Sequence, residues 1–281
     1  MTQTILQNPV IIEHNGSVTW LRLNRPNWLN AVNAAMIEGL IDGLIAARDR
    51  GSDLVVFAGE GRAFSAGFDL SGLDQQSDAD LLYRFVRVEQ LLQMIYQLPM
   101  TSVALVQGRC FGAAADIVAS CRKRIAAPDA SFRMPVLQFG IVLGTRRLAR
   151  LIGADAAFDL LETSRIFNAN DALEVGFLTD IQPAENWASH IDRLAIDAGN
   201  LGDDAKTALL AATRDDSGLD HDLAALVRSA AKPGLADRMR AFVATQVKKY
   251  SYPAQNAAPA MHCAQAIYRL SLNRKRPQIQ H

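Results

Sequence analysis

The chain has 281 residues, 49% hydrophobic and 21% charged, and its 29 basic and 29 acidic side chains balance to a formal net charge of zero. That balance excludes an overall electrostatic pull toward nucleic acid or an anionic membrane surface, and the length suits one domain with an appendage. No apolar run approaches the roughly 20 residues that span a bilayer, and Met1–Asn8 lacks the basic flank and apolar stretch of a secretory signal, so a cytoplasmic protein is expected.

In chain order, Val10–Glu13 and Ser17–Leu23 read as a hairpin turning at Asn15-Gly16. Ala34–Asp49 places Met36, Leu40, Leu44 and Ala47 at helical intervals, and Leu54–Ala58 follows as a short apolar strand. Asp78–Leu98 predicts a long helix with Leu81, Leu82, Phe85, Val88, Leu92 and Ile95 on one side, stopped by Pro99. Strands at 101–106 and about 123–127 flank a short helix starting near Gly112. The strands are apolar at successive positions, as a sheet covered on both faces requires. Beyond Trp187 the pattern is helical throughout (187–200, 203–213, 219–230 and 234–249), with Pro233-Gly234 marking a break. The expected division is a core over 1–186, a helical region over 187–249, and an extension over 250–281 to which the sequence assigns no role.

Two stretches invite chemistry: G-R-A-F-S-A-G-F-D-L at 61–70 and G-R-C-F-G-A-A-A-D at 108–116. Each follows a strand-like run and places small residues where a backbone N–H can point outward. Two such amides aimed at one point form an oxyanion hole, because main-chain donors need no protonation and barely reorganise as charge develops. Gly112–Ala119 reads as the first turns of a buried helix, whose opening amides lack intrahelical partners and sit at the positive end of the dipole. Ala113 is therefore a candidate anion donor. Asp116 lies three residues further on, projects from the same face, and is a candidate base whose apolar neighbours should make it hard to ionise. The alternative is a structural Asp116 bonded to a nearby amide or arginine. The cysteines Cys110, Cys121 and Cys263 and the histidines His14, His190, His221, His262 and His281 show no metal-ligand spacing, so no metal is expected.

Together these stretches resemble the crotonase superfamily, the enoyl-CoA hydratase/isomerase fold. The resemblance begins at L-R-L-N-R-P-N-W-L-N-A (21–31) and continues through 63–70 and I-A-A-P-D-A-S-F-R-M-P at 125–135. L-A-R-L-I-G at 148–153 and A-L-E-V-G-F-L at 172–178 extend it. It implies an α/β fold with a ββα spiral core and a C-terminal helical region that covers the site and builds a homotrimer, or a hexamer of paired trimers. It also implies an acyl-CoA substrate, with coenzyme A as part of that substrate and no separate cofactor. By the family motif Phe68 supplies the first oxyanion amide and Ala113 the second, where many relatives carry glycine. Carried-over substrate and coenzyme A contacts are Asn27, Trp28, Leu29, Ala31, Ala66, Asp69 and Leu70. Trp28 either stacks on the purine or packs on its own domain. Asn27 stands where relatives often carry a cation, so Arg25, Lys248 or Lys249 are the substitutes for a phosphate contact. Ser71–Ser77 is the expected mobile lip of the acyl pocket.

The chain departs from the family at its acids. Hydratases there use a second glutamate in F-x-x-P-E, which here reads Phe132-Arg133-Met134-Pro135-Val136. Val136 cannot shuttle a proton, which disfavours two-acid hydration and equally the isomerase base usual at that position. Gly140–Arg147 carries no carboxylate, which disfavours aryl-halide displacement, and Arg146 and Arg147 either face the site or, as is commoner for arginines at a helix start, are solvated or touch another subunit. The rivals are thioester or C–C hydrolysis, decarboxylation, or a non-catalytic acyl-CoA-binding subunit.

Overall fold

The computed structural model describes residues 8–214 and 217–251. The elements begin β1 (Val10–Asn15), β2 (Val18–Leu23), α1 (Ala34–Asp49), β3 (Leu54–Gly59), α2 (Asp78–Tyr96), β4 (Thr101–Val106), β5 (Arg109–Phe111) and α3 (Ala113–Ser120). They continue with β6 (Lys123–Ala126), β7 (Ser131–Arg133), α4 (Thr145–Ile152), α5 (Ala154–Thr163), β8 (Phe167–Asn168), α6 (Ala169–Glu174) and β9 (Asp180–Ile181). The helices α7 (Trp187–Gly199), α8 (Asp203–Thr213), α9 (Leu219–Ala230) and α10 (Leu235–Ser251) follow. The expected 250–281 extension lies outside the described residues beyond Ser251.

One sheet runs β1-β2-β3-β4-β6-β9, antiparallel only between β1 and β2; a smaller sheet runs β5-β7-β8. Asn15 pairs with Val18, so the hairpin turns at Gly16-Ser17, one residue later than expected, with Gly16 at φ +60°. The long helix stops at Tyr96 rather than Leu98, because the residue before Pro99 is pushed out of helical geometry. Side-chain caps start both long helices: Asn33 accepts from the Met36 amide at 2.9 Å, and Ser77 with Asp80 forms a reciprocal capping box.

The large sheet is buried on both faces. Val55 and Phe57 point into the main core with α1, α2 and α3. Leu54, Val56 and Ala58 point the other way, against Ile191 and the partly buried Trp187 and Leu194 of α7. Each such side chain taken from water is worth about 1.5–3 kcal/mol. The first helix of the C-terminal region thus seals the rear of the sheet, while α9 and α10 pack on α2. The Asp78 carboxylate ties α10 to the start of α2 by accepting from the amides of Gly234 and Ala236, both at 2.8 Å. These amides hold the Asp78 carboxyl below its ordinary range.

Candidate active site

The loop after β2 is locked by its own polar groups. Leu29 and Asn30 take left-handed φ values of 48° and 52°, a conformation that L-residues adopt at a cost. Asn30 holds it: its Oδ1 accepts from the Arg25 amide at 2.8 Å, and its Nδ2 donates to the carbonyls of Glu60 and Ala63, both at 2.9 Å. The Arg25 guanidinium donates to Asp69 Oδ2 at 2.9 Å and to the Ala31 carbonyl, and lies 5.2 Å from the Trp28 ring. Asp69 Oδ1 accepts from the Ser71 amide at 3.0 Å. Arg25 is thereby matched within the chain. The side chains of Lys248 and Lys249 lie outside the described residues.

This network sets the loop beside the first motif. The Ala66 amide donates to the Leu29 carbonyl at 2.8 Å, and Ser65 Oγ donates to the Asn30 carbonyl at 2.7 Å. Asn27 and Trp28 are exposed at its tip, Leu29, Ala31, Ala66 and Leu70 are half-buried, and Asp69 is buried. On either side of Phe68, Gly67 accepts from the Val32 amide at 2.8 Å and Asp69 donates to the Val32 carbonyl at 3.0 Å. The Phe68 amide itself has no acceptor among the described residues. Its ring stacks on Phe85, with centroids 4.2 Å apart and planes 6° from parallel, and the Arg84 guanidinium lies 4.1 Å from it. Arg84 donates to Gln76 Oε1 and to the Asp69 carbonyl, which ties the 71–77 lip to α2.

The second motif meets the first at Gly67. With φ +87°, a Cβ there would lie 2.2 Å from the Phe111 carbonyl oxygen and 3.4 Å from the Ala113 nitrogen, so only glycine lets the motifs approach. Gly112 donates to the Arg133 carbonyl at 2.8 Å, and α3 starts at Ala113, whose amide has no acceptor among the described residues. Asp116 is buried, and neither of its side-chain oxygens has a hydrogen-bond partner. A structural Asp116 bonded to an amide or arginine is therefore not what forms. Burial pushes its carboxyl up to about 8, Arg147 opposes that shift, and Glu89 adds to it. A Cβ on Gly144, which has φ +65°, would lie 2.1 Å from Asp116 Oδ1, so the start of α4 presses directly on this carboxyl.

Arg147 departs from expectation. Instead of being solvated it is buried, donating through Nη1 and Nη2 to Glu89 Oε1 and Oε2 at 2.9 and 2.6 Å. Arg146 pairs with Asp222 through Nε at 2.9 Å. Glu89 was not among the residues singled out in the sequence, whereas Gly144 and Arg147 fall in the Gly140–Arg147 segment that was, though without the contacts they make here. Val136 is buried just beyond β7, as apolar in place as in sequence. Glu89 does not replace the missing acid, since both its oxygens are bound to Arg147. Among the described residues no group of His, Cys, Asp and Glu is arranged to hold a metal. No described helix is long and apolar enough to cross a membrane.

Residues 13–219 match the family model described as enoyl-CoA hydratase/isomerase. The chain is similar to a short-chain-enoyl-CoA hydratase of Clostridium acetobutylicum, 30% identical over 185 residues, covering 63% of this chain and 70% of that one. A crotonyl-CoA hydratase of Syntrophomonas wolfei is 27% identical over 191 residues, covering 66% and 74% respectively. A crystal structure from Bordetella parapertussis, assigned to the enoyl-CoA hydratase/isomerase class, superposes with a TM-score of 0.83 at 44% identity, over 85% of this chain and 99% of that one.

Proposed function

The chain belongs to the enoyl-CoA hydratase/isomerase family, and we propose that it acts at the α-carbon of an acyl-CoA thioester. In this reading the Phe68 and Ala113 amides hold the enolate oxygen and Asp116 carries the proton. The observation behind it is Asp116 itself, a buried carboxyl with two unpartnered oxygens on the same short helix as the Ala113 amide. Leaving a buried polar group unsatisfied costs about 1–3 kcal/mol, and chains keep such groups chiefly where function uses them. At neutral pH Asp116 is largely protonated, with a value near 8. It can therefore give a proton to an enolate carbon and, in its ionised fraction, take one away.

With Val136 apolar and Glu89 held by Arg147, one acid does the work. A single carboxyl suits transfer of a proton between two carbons of the acyl chain: it removes the proton at one carbon, the electron pair moves onto the thioester oxygen, and the proton returns at the other. Adding water asks more, because one group must position the water while another supplies the α-proton. Hydration is the second reading, favoured by the names of the relatives. Coenzyme A is expected along Asn27, Trp28, Leu29, Ala31 and Ala66, with Asp69 and Leu70 near the thioester, and no other cofactor is required. We also propose a cytoplasmic homotrimer or pair of trimers, for which exposed Phe158, Ile166 and Leu173 offer apolar surface.

The test is incubation with a 3-enoyl-CoA and a 2-enoyl-CoA in heavy water, with product masses. Proton transfer predicts conversion of the 3-enoyl substrate into its 2-enoyl isomer, carrying deuterium to the extent that the carboxyl exchanges with solvent before it returns the proton, and Asp116→Asn should slow it by about 10³-fold while leaving acyl-CoA affinity nearly unchanged. A product heavier by one water selects hydration. Unchanged turnover in Asp116→Asn removes that residue from the reaction.

A further inference from the structure

Asp116 sits against a charge arrangement that its own helix does not supply. The first turn of α4 brings Gly144 onto its carboxyl and, three residues later, Arg147. Arg147 does not turn its guanidinium to Asp116. Both of its terminal nitrogens are held by Glu89 of α2, with the two side chains 3% and 1% exposed. Gln93 supports Glu89 by donating to Oε1 at 3.0 Å. On the far side, Asp222 of α9 lies 3.7 Å from Arg147 Nη1 and is itself paired with Arg146. The remaining titratable neighbour is the buried Cys110 thiol on β5, which burial pushes well above its ordinary range, so it stays uncharged. Among the described residues the charges acting on Asp116 are therefore one cation and one anion fixed together, with a second anion 3.7 Å from that cation.

We propose that the Glu89–Arg147 pair is a positioning device that sets the charge state of Asp116, with Arg147 near enough to moderate the carboxyl and Glu89 keeping Arg147 from bonding to it. The geometry accounts for a carboxyl that is buried beside an arginine and yet has no partner. Freed from Glu89, the Arg147 fork would be available to Asp116 and would fix it as a permanent carboxylate. Without Arg147, an unbalanced Glu89 would face Asp116 and keep it protonated. Arg147 and Glu89 act on Asp116 in opposite senses, consistent with the causes that shift its carboxyl. This inference rests on the reading of Asp116 as the proton carrier only for its effect on turnover; its effect on ionisation is independent of that reading.

The experiment is a pH titration of the Asp116 carboxyl by infrared difference spectroscopy against Asp116→Asn, run beside the pH profile of kcat/KM. Glu89→Gln should move the Asp116 transition down by roughly one pH unit or more, and Arg147→Gln should move it up by a similar amount. Opposite displacements are the signature, because a purely structural pair would weaken the fold in both variants without moving the transition in opposite directions. Should either single variant fail to fold, Glu89→Gln combined with Arg147→Gln keeps a hydrogen-bonded amide and removes both charges. The upward displacement should survive in that double variant, since Arg147 outweighs Glu89. Transitions that stay within a few tenths of a unit of the parent in every folded variant would overturn the proposal. If the infrared transition moves as expected while turnover ignores Asp116, the proposal stands and the catalytic reading falls. If Asp116→Asn abolishes turnover and the transition does not move, the reverse holds.

Discussion

The loop around Arg25 and the helix start around Asp116 both bury a carboxyl group beside an arginine. Asp69 is 6% exposed and Asp116 2%, so depth does not separate them. In the loop the arginine and carboxylate meet, and the two carboxylate oxygens of Asp69 accept from Arg25 and the Ser71 amide. At the helix the arginine is given to Glu89, and Asp116 has no partner. The first arrangement holds two segments of chain in register; the second leaves a carboxyl unpaired, as the proposed proton carrier requires. Satisfying buried polar groups stabilises a scaffold, and withholding that satisfaction at one residue leaves chemistry for a ligand to complete.

The largest expected effect comes from breaking the second arrangement by shape. Gly144→Ala places a Cβ 2.1 Å from Asp116 Oδ1 at a φ of +65°, and steady-state kinetics should show a loss of more than about 10²-fold in kcat/KM as the carboxyl is displaced. Near-parental activity would mean that the position of Asp116 does not matter.

Next comes the stability that Asp116 withholds. Its folded value, near 8, lies above the ordinary 3.8, so the native state holds a proton that the unfolded chain releases. The contribution is complete below about pH 4, is lost as pH rises toward 8, and does not change further above that. Asp116→Asn should therefore match the parent near pH 4 and exceed it by about 6 kcal/mol at pH 9, read from denaturant midpoints. A constant difference across that range would contradict the assignment.

Breaking the first arrangement gives a smaller effect of opposite sign. Asp69→Ala leaves the half-buried Arg25 without its partner and should cost about 2 kcal/mol, read from denaturant midpoints at neutral pH, because the pair is less enclosed than a fully buried one. The smallest test concerns a cap far from both: Asn33→Ala removes the acceptor for the Met36 amide and should cost about 1 kcal/mol without changing kcat.

How much of this was legible in the sequence follows from what each feature depends on. Ala34–Asp49 and Thr101–Val106 occupy the positions their apolar spacing indicates, because one stripe or one unbroken run suffices to define them. The second sheet could not be read that way: β5, β7 and β8 have three, three and two residues, too few for any period, and β5 is placed by contacts with the distant first motif, Ser65 bridging to Cys110 and Gly67 and Gly108 allowing the backbones to close. That Ala113 and Asp116 share the first turn of one buried helix was legible from their three-residue spacing. The Glu89–Arg147 pair was not, though half its signal was present. Glu89 lies four residues after Phe85 and three before Leu92, squarely on the apolar side of α2, where a carboxylate demands a buried cation. Which cation answers it, 58 residues away, depends on how α4 packs.

The same packing bears on why the acid is an aspartate. A Cβ on Gly144 would lie 2.1 Å from Asp116 Oδ1, so the carboxyl fits on its α4 side only because residue 144 has no side chain. A glutamate at 116 would have one methylene more than the gap admits and would have to fold back toward α3 or push α4 outward. Length of reach and the missing side chain at 144 are thus a matched set, and a glutamate introduced at 116 would need a second change in the backbone opposite before it could take up the same station.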